Sequence, residues 1–352
     1  MNNVTRLVIS SLCAALTLGS CTKKHHQPEE PLKAPLEFTA VSQDSGMKAV
    51  LEANSLANYH LDFGAWGIAR QEGNSTPYVL WSSDSMSEVY AEPDANAAGE
   101  YTGTFIPREP AYWLTGFAYN FIAVAPYTEG ASDLDIDHSV DAQTSKDAIT
   151  FTFDQGAKYT AGDFDFDLMG AVAATDAITT KPTTQNLTFW HLFSQICINV
   201  IFEEADKTPI AGTVDAIRLS NVVTKAGYEI SFDDDKNLDV LCVPSTSSSD
   251  KITSSAPLVF NQSNKDQGTG SKWTIHILPQ IVSGFVMYID FTIGETSTRN
   301  FKVNLSAAGN NAYDYNGAYN WNIRITPKTV SFDVSVKPWV EDNNGNNEFD
   351  FE

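Results

Sequence analysis

The 352-residue chain has few basic residues, and this scarcity excludes one large class of partners. It contains 22 Lys and Arg against 44 Asp and Glu, which gives a formal net charge of −22 at pH 7. Binding to nucleic acid or to an anionic membrane surface depends on Lys and Arg to neutralise phosphates. We therefore expect this chain to bind neither by charge, and its acidity favours solubility.

Cysteine is also scarce, with 4 residues in the whole chain. Cys13 and Cys21 lie near the N-terminus, which leaves Cys197 and Cys242 in apolar segments typical of strands. We expect two separately buried thiols, although an exported chain could also join them in a disulfide. There is no CxxC pair or Cys/His cluster, and the P-loop, dinucleotide, GxSxG and HExxH signatures are missing. We therefore predict no metal, no cofactor and no enzymatic activity.

Long apolar runs are missing too, since none after the leader reaches the roughly 18 residues of a membrane-spanning helix. A shorter run stands at the N-terminus, where Arg6 is the only charge in residues 1–20. It is followed by the mostly apolar residues 7–18, which is the pattern of a secretory signal. The sequence therefore predicts export.

The end of this leader carries a lipidation signal. Leu18-Gly19-Ser20-Cys21 resembles a bacterial lipobox, in which the thiol of Cys21 takes a diacylglycerol. Two or three acyl chains hold a protein stably on a membrane. We predict a lipoprotein signal peptide at 1–20, lipidation of Cys21 and a flexible tether at 21–33. The alternative is an ordinary signal with an incidental cysteine.

The rest of the chain alternates apolar and polar residues in short segments. Examples are LEFTAV at 36–41, AITFTF at 148–153, WTIHIL at 273–278, VMYIDFTI at 286–293 and TVSFDVSV at 329–336. Such alternation, with β-branched and aromatic residues, predicts half-buried strands, and only 47–59 has the pattern of a helix. We predict an all-β chain with two tandem β-sandwiches, followed by a tail or donor segment. The predicted bounds are 34–180, 181–340 and 341–352.

Two polar features interrupt this pattern. DFDFDL at 163–168 would place three aspartates on one strand face, where we expect solvent rather than calcium. His191, within LTFWHLFSQICINVIF at 187–202, is expected to be a hydrogen-bonded core residue rather than a catalyst. The apolar period of this segment slips near Phe193, which predicts a β-bulge unless both faces are buried.

Several segments resemble, in order, those of the fimbrillin family, the fimbrial subunit lipoproteins of anaerobic Gram-negative bacteria. They are LDFGAWGIAR at 61–70, GTFIPREPAYWLTGFAYNFIAVAPY at 103–127, DLMGA at 167–171, LTFWHLFSQICINV at 187–200, ILPQ at 277–280, GAYNWNIRIT at 317–326 and VSFDVSVKPW at 330–339. The resemblance implies two transthyretin-like sandwiches. It also implies a structural role: export to the outer membrane, then assembly with other subunits into surface fimbriae for adhesion.

The resemblance further implies assembly by strand exchange. A protease removes an N-terminal strand, and a strand of another subunit then fills the open groove with main-chain hydrogen bonds and alternating side chains. The matching first strand here is APLEFTAV at 34–41, with Leu36, Phe38 and Ala40 facing the groove. The donor would come from about Thr329 to Glu352.

One departure from the family leaves the role of the chain open. Family members carry an Arg for their protease before the first strand, whereas this chain has none between Cys21 and Arg70. Lys33 is the candidate processing site for a protease of different specificity. Without cleavage the lipid and the strand stay, as expected of an anchor or a non-polymerising relative.

The alternative function is a monomeric surface lipoprotein that binds a glycan or a host protein. Exposed aromatic side chains among Trp66, Trp81, Tyr112 and Trp113 would stack on sugar rings. A third possible function is that of an exported glycoside hydrolase, but no pair of carboxylates in the sequence has a spacing that indicates one.

Overall fold

The structure is a computed structural model. It describes residues 31–42, 62–74, 76–81, 86–93, 101–127, 135–139, 147–164, 166–180, 184–263, 265 and 271–337. The predicted lipidation residue Cys21, the helix predicted over 47–59 and the tail at 341–352 lie outside these ranges. Within them, no helix combines the length and the apolar character needed to cross a membrane.

The described residues form 22 β-strands, a short α-helix and two 3-10 helices, which confirms the all-β prediction. The first strands are β1 (Pro31–Pro35), β2 (Phe38–Ser42), β3 (Phe63–Gln71), β4 (Tyr78–Val79), β5 (Ser87–Pro93), β6 (Tyr101–Pro107), β7 (Tyr112–Leu114), β8 (Phe117–Ala125), β9 (Asp135–Ser139), β10 (Ala148–Asp154) and β11 (Met169–Thr175). The helix α1 (Gly156–Ala161) follows β10.

The later strands are β12 (Gln185–His191), β13 (Ser194–Phe202), β14 (Gly212–Ser220), β15 (Lys225–Phe232), β16 (Leu238–Pro244), β17 (Leu258–Phe260), β18 (Ser271–Ile277), β19 (Val286–Ile293), β20 (Thr296–Val303), β21 (Ala318–Ile325) and β22 (Val330–Lys337). The 3-10 helices are Ser248–Asp250 and Ser306–Ala308. Burial alternates along β19, where Met287, Ile289 and Phe291 face the core, as the period of a half-buried strand requires.

The N-terminal strands form an eight-stranded sheet in the order β4-β3-β5-β6-β2-β12-β11-β8, and β8 pairs again with β3. This last pairing closes the hydrogen-bonded circuit, so both ends of the sheet meet around one core. The core is aromatic at its centre, with Phe63, Phe105, Phe121 and Phe189 fully or almost fully buried. Strands β1 and β7 form a separate two-stranded sheet.

The C-terminal strands enclose a second core between two four-stranded sheets, β18-β13-β21-β22 and β17-β14-β19-β20. Ile198, Trp273 and Trp321 come from the first sheet, and Ile217 and Ile289 come from the second. A β-sandwich buries its apolar side chains in this way, from the inner faces of both sheets.

A fifth sheet, β16-β15-β10-β9, joins strands from both halves of the chain. Its apolar face packs on the outer face of β3 and β8, where Trp66, Ile68 and Ile122 meet Phe151 and Ile230. Because β9 and β10 precede residue 180 and β15 and β16 follow it, the two halves share a sheet. The predicted division at 180 and 181 therefore stays a prediction.

The structure decides between the two alternatives for 187–202 and corrects the prediction for DFDFDL. The segment 187–202 contains no bulge at Phe193: β12 ends at His191, and β13 begins at Ser194 in a different sheet. The change of sheet explains the slip in apolar period, and both faces of β13 are buried over most of its length. The described residues of DFDFDL, 163–164 and 166–168, are not in a strand, and β11 begins only at Met169.

Candidate functional site

The first strands are the candidate functional site because they lie inside the fold. β2 runs parallel to β12, from Phe38 opposite Gln185 onward, and it pairs antiparallel with β6 at Phe105. Between β1 and β2, the Leu36 N–H donates to the Ala111 carbonyl at 2.8 Å. The segment is therefore tied to both neighbours through its backbone.

The predicted groove-facing side chains all point into the N-terminal core. Leu36, Phe38 and Ala40 expose 1%, 0% and 3% of their surface, whereas Glu37 and Thr39 between them are half-buried. The alternation matches the pleat of a strand that has one buried face. We call the space that Leu36, Phe38 and Ala40 occupy the β2 slot.

The wall of the β2 slot is aromatic. The Phe38 ring lies edge-on to Phe63, with centroids 5.9 Å apart, and edge-on to Phe121 at 5.4 Å. Phe63 also packs on Phe105 and Phe189, each with centroids 5.3 Å apart. Edge-to-face pairs at these distances stabilise beyond the area that they bury.

A tyrosine anchors the neighbouring strand. The Tyr119 ring lies 4.9 Å from Trp113, and its hydroxyl accepts the Leu114 N–H at 2.6 Å. Burial raises the pKa of this phenol far above its ordinary value, so it stays protonated at physiological pH. The sequence analysis singled out 103–127 only for its resemblance to a fimbrillin segment, which did not show that its aromatic residues surround Phe38.

The chemistry of the β2 slot is that of a binding groove for a strand. If β2 left, the apolar wall around Phe38 would be open to water, and β6 and β12 would each have an unpaired edge. An incoming strand with apolar residues at alternate positions would restore both the contacts and the hydrogen bonds.

Chain connectivity separates two events that the sequence analysis joined. Lys33 lies in β1, so the last residues of the predicted tether belong to a strand, and Lys33 precedes the β2 slot residues. A cut after Lys33 would release Cys21 but leave Leu36, Phe38 and Ala40 attached to the body. Emptying the slot requires a cut between the end of β2 and the start of β3.

The predicted donor segment begins in an edge strand. β22 pairs only with β21 among the described strands, and the half-buried Val330, Phe332 and Val334 pack against the C-terminal core. Phe332 lies 5.6 Å from Trp321, edge-on. Val336 is 76% exposed, and residues 338–352 of the predicted donor lie outside the described part.

The aromatic residues proposed for sugar stacking are mostly unavailable. Trp66, Trp81 and Trp113 expose only 1%, 1% and 0% of their surface, so this part of the alternative function is wrong. Tyr112 is 38% exposed.

His191 is buried and hydrogen-bonded to Asp167, as expected of a core histidine. Asp167 therefore does not belong to a solvated strand face, which corrects that expectation. The described residues contain no group of three or more His, Cys, Asp or Glu arranged for a metal ion. Cys197 and Cys242 are both free thiols.

Arg70 is held inside the fold rather than offered to a protease. Its guanidinium makes two hydrogen bonds to the Asp147 carboxylate, at 2.7 and 2.5 Å. Asp147 is fully buried and also accepts a hydrogen bond from Asn120 at 2.8 Å. A guanidinium held in this way is a poor target for a protease.

Comparisons with known proteins identify a family and a similar fold. The family model described as fimbrillin-like matches residues 70–339. The fold is similar to that of a Bacteroides uniformis protein assigned provisionally to cell adhesion, with a TM-score of 0.52, 17% identity and coverage of 88% of this chain and 100% of that one. The fold is also similar to that of a fimbrial protein from Bacteroides vulgatus, with a TM-score of 0.51 and 11% identity. That match covers 86% of this chain and 98% of the other. No curated protein matches the chain.

Proposed function

The chain belongs to the fimbrillin-like family, and from that premise we propose that it is a structural and adhesive subunit of a fimbrium. It is exported as a lipoprotein, anchored in the outer membrane through Cys21, and assembled with other fimbrial subunits by strand exchange at the β2 slot. The single observation that carries the proposal is the burial of Phe38. This residue belongs to a strand at the N-terminal end of the body, and its ring is completely buried among aromatic side chains.

Two features support exchange at this strand. It is joined to the rest of the body only through the chain that leads to β3, so one cut there makes it a separate peptide. Its partners β6 and β12 come from later in the sequence, so neither belongs to the released peptide. A replacement strand therefore finds a groove that is already formed.

Lipidation and processing have distinct roles in this proposal. Acylated Cys21 holds the uncut chain at the membrane surface. Cleavage after Lys33 releases the body from its anchor with the β2 slot filled, and a cut beyond β2 opens the slot. A chain that receives neither cut serves as an anchor.

The family favours a structural role over an enzymatic one. The alternative of a monomeric glycan-binding lipoprotein loses its tryptophan platform, because Trp66, Trp81 and Trp113 are buried.

The proposal is tested by cutting the chain at defined positions. A recognition sequence for a site-specific protease is inserted between Ser42 and Asp62 in one variant and between Lys33 and Ala34 in a matched control. We expect a ladder of SDS-resistant oligomers after cleavage of the first variant and none after cleavage of the control. A first variant that stays monomeric after complete cleavage and release of β2, or a control that polymerises equally, contradicts exchange at the β2 slot.

A further inference from the structure

The edge strand β16 carries two exposed aliphatic side chains. Leu241 and Val243 each expose 57% of their surface, and they lie two residues apart on the outward face. Among the described strands, β16 pairs only with β15. The strand thus combines an open edge with an apolar stripe.

The free backbone groups of β16 can be assigned from two hydrogen bonds. The Ser245 N–H donates to the Lys225 carbonyl, and the Asp233 N–H donates to the Asn237 carbonyl, in register with the β15–β16 ladder. Bonded and non-bonded pairs alternate along an antiparallel ladder. The amides and carbonyls of Val240 and Cys242 therefore point away from β15, toward the open edge, with those of Leu238.

β16 lacks the features that normally protect an edge. Asp239 is its only charged residue, its pairing with β15 has no register shift, and Pro244 stands only at its end. The edge strand β20, by contrast, carries Arg299 and Lys302 and has a register shift in its pairing. Charges and bulges are what natural sheets use to prevent pairing between edges.

We propose that β16 is a self-association edge, which pairs antiparallel with β16 of a second copy about a two-fold axis at Leu241. In this register Val240 and Cys242 of the two copies exchange main-chain hydrogen bonds. The two Leu241 side chains face each other in a non-bonded pair, where side chains approach most closely. The result is one continuous sheet of eight strands across two copies.

Charge favours this register for a second copy of so acidic a chain. Asp239 lies opposite Val243, and the two Asp239 carboxylates are four residues apart along the ladder, about 13 Å. The Glu229 carboxylates, one strand further in, are separated by three strand spacings, about 14 Å. Both separations exceed the screening length of about 8 Å at physiological ionic strength. Like charges of the paired strands themselves therefore stay apart.

We expect the pairing to be weak, because one short pair of strands buries less than the roughly 1,200 Å² of a stable interface. We expect a dimer that forms toward about 1 mM chain. Copies concentrated side by side on a surface would pair more readily. The uncut chain suffices, since the β2 slot stays filled.

Sedimentation velocity on the full chain carrying Cys21→Ser, which cannot be acylated, tests the proposal. We expect the sedimentation coefficient to rise with concentration, and Leu241→Lys to abolish the rise. Val259→Lys, at an aliphatic residue 39% exposed on the edge strand β17, is the matched control and should leave it intact. Val243→Lys provides a second disruption should Leu241→Lys fail to fold.

Mixing opposite charges tests the axis itself. Leu241→Lys and Leu241→Glu chains should each stay monomeric alone and associate when mixed, because residue 241 faces its own twin. Concentration-independent sedimentation of the parent chain overturns the proposal. An equal loss of association in Val259→Lys also overturns it. A mixture of the Leu241→Lys and Leu241→Glu chains that stays monomeric overturns it too, because association would then depend on a segment other than β16.

Discussion

Replacing Phe38 by Ala should destabilise the N-terminal core more than any other single truncation in β2. The ring is fully buried and makes edge-on contacts with Phe63 and Phe121. Truncation of a buried Phe to Ala costs about 3–5 kcal/mol, since it removes apolar burial and leaves a cavity. With an m-value of about 3 kcal/mol/M, the urea midpoint should fall by about 1 M or more.

The matched control is Thr39→Ala, on the opposite face of the same strand. Thr39 is half-buried and donates a hydrogen bond of 3.1 Å from its hydroxyl to Asn186, near solvent. Its loss should cost about 1 kcal/mol or less. The assay is urea unfolding followed by tryptophan fluorescence. A Phe38→Ala midpoint that falls no further than that of Thr39→Ala would refute the importance of the ring in the β2 slot.

Three further predictions concern the body of the chain. Gly212→Ala should lower the thermal midpoint, because a Cβ there would lie 2.3 Å from the Phe202 ring, whereas Gly227→Ala meets nothing within 4 Å and should leave it unchanged. Gln280→Ala should cost about 1–3 kcal/mol in chemical denaturation, since this buried amide bonds backbone groups on two segments that would lose their partner. Burial raises the pKa of Cys242 to about 11. Its alkylation by iodoacetamide should therefore be slow at pH 8 and accelerate toward pH 11, because the thiolate is the reactive form. An alkylation rate at pH 8 equal to that of the unfolded chain would contradict this.

For the first strands, the alternation of the sequence was sufficient to predict which face is buried. In LEFTAV it puts Leu36, Phe38 and Ala40 on one side, and all three are buried. It could not identify the neighbour of that strand, because β2 pairs in parallel with β12, and Thr39 bonds a residue 147 positions away. Alternation depends on local burial, whereas such pairings depend on the closure of the whole sheet.

The same limit explains the predictions that were wrong. In DFDFDL the period of two is real, but Phe164 and Phe166 pack against different cores, and Asp167 bonds His191. A segment that divides its side chains between two cores imitates a strand in sequence. The shared sheet β16-β15-β10-β9 was equally hidden, because its strands come from widely separated parts of the chain.

The most direct test of the central claim is immunogold electron microscopy of cells that produce the chain, with antibodies raised against its folded body. An assembled fimbrial subunit predicts gold particles along filaments that extend from the cell, and loss of those particles when the chain is deleted. Gold confined to the cell envelope, with none on any filament, would contradict the account.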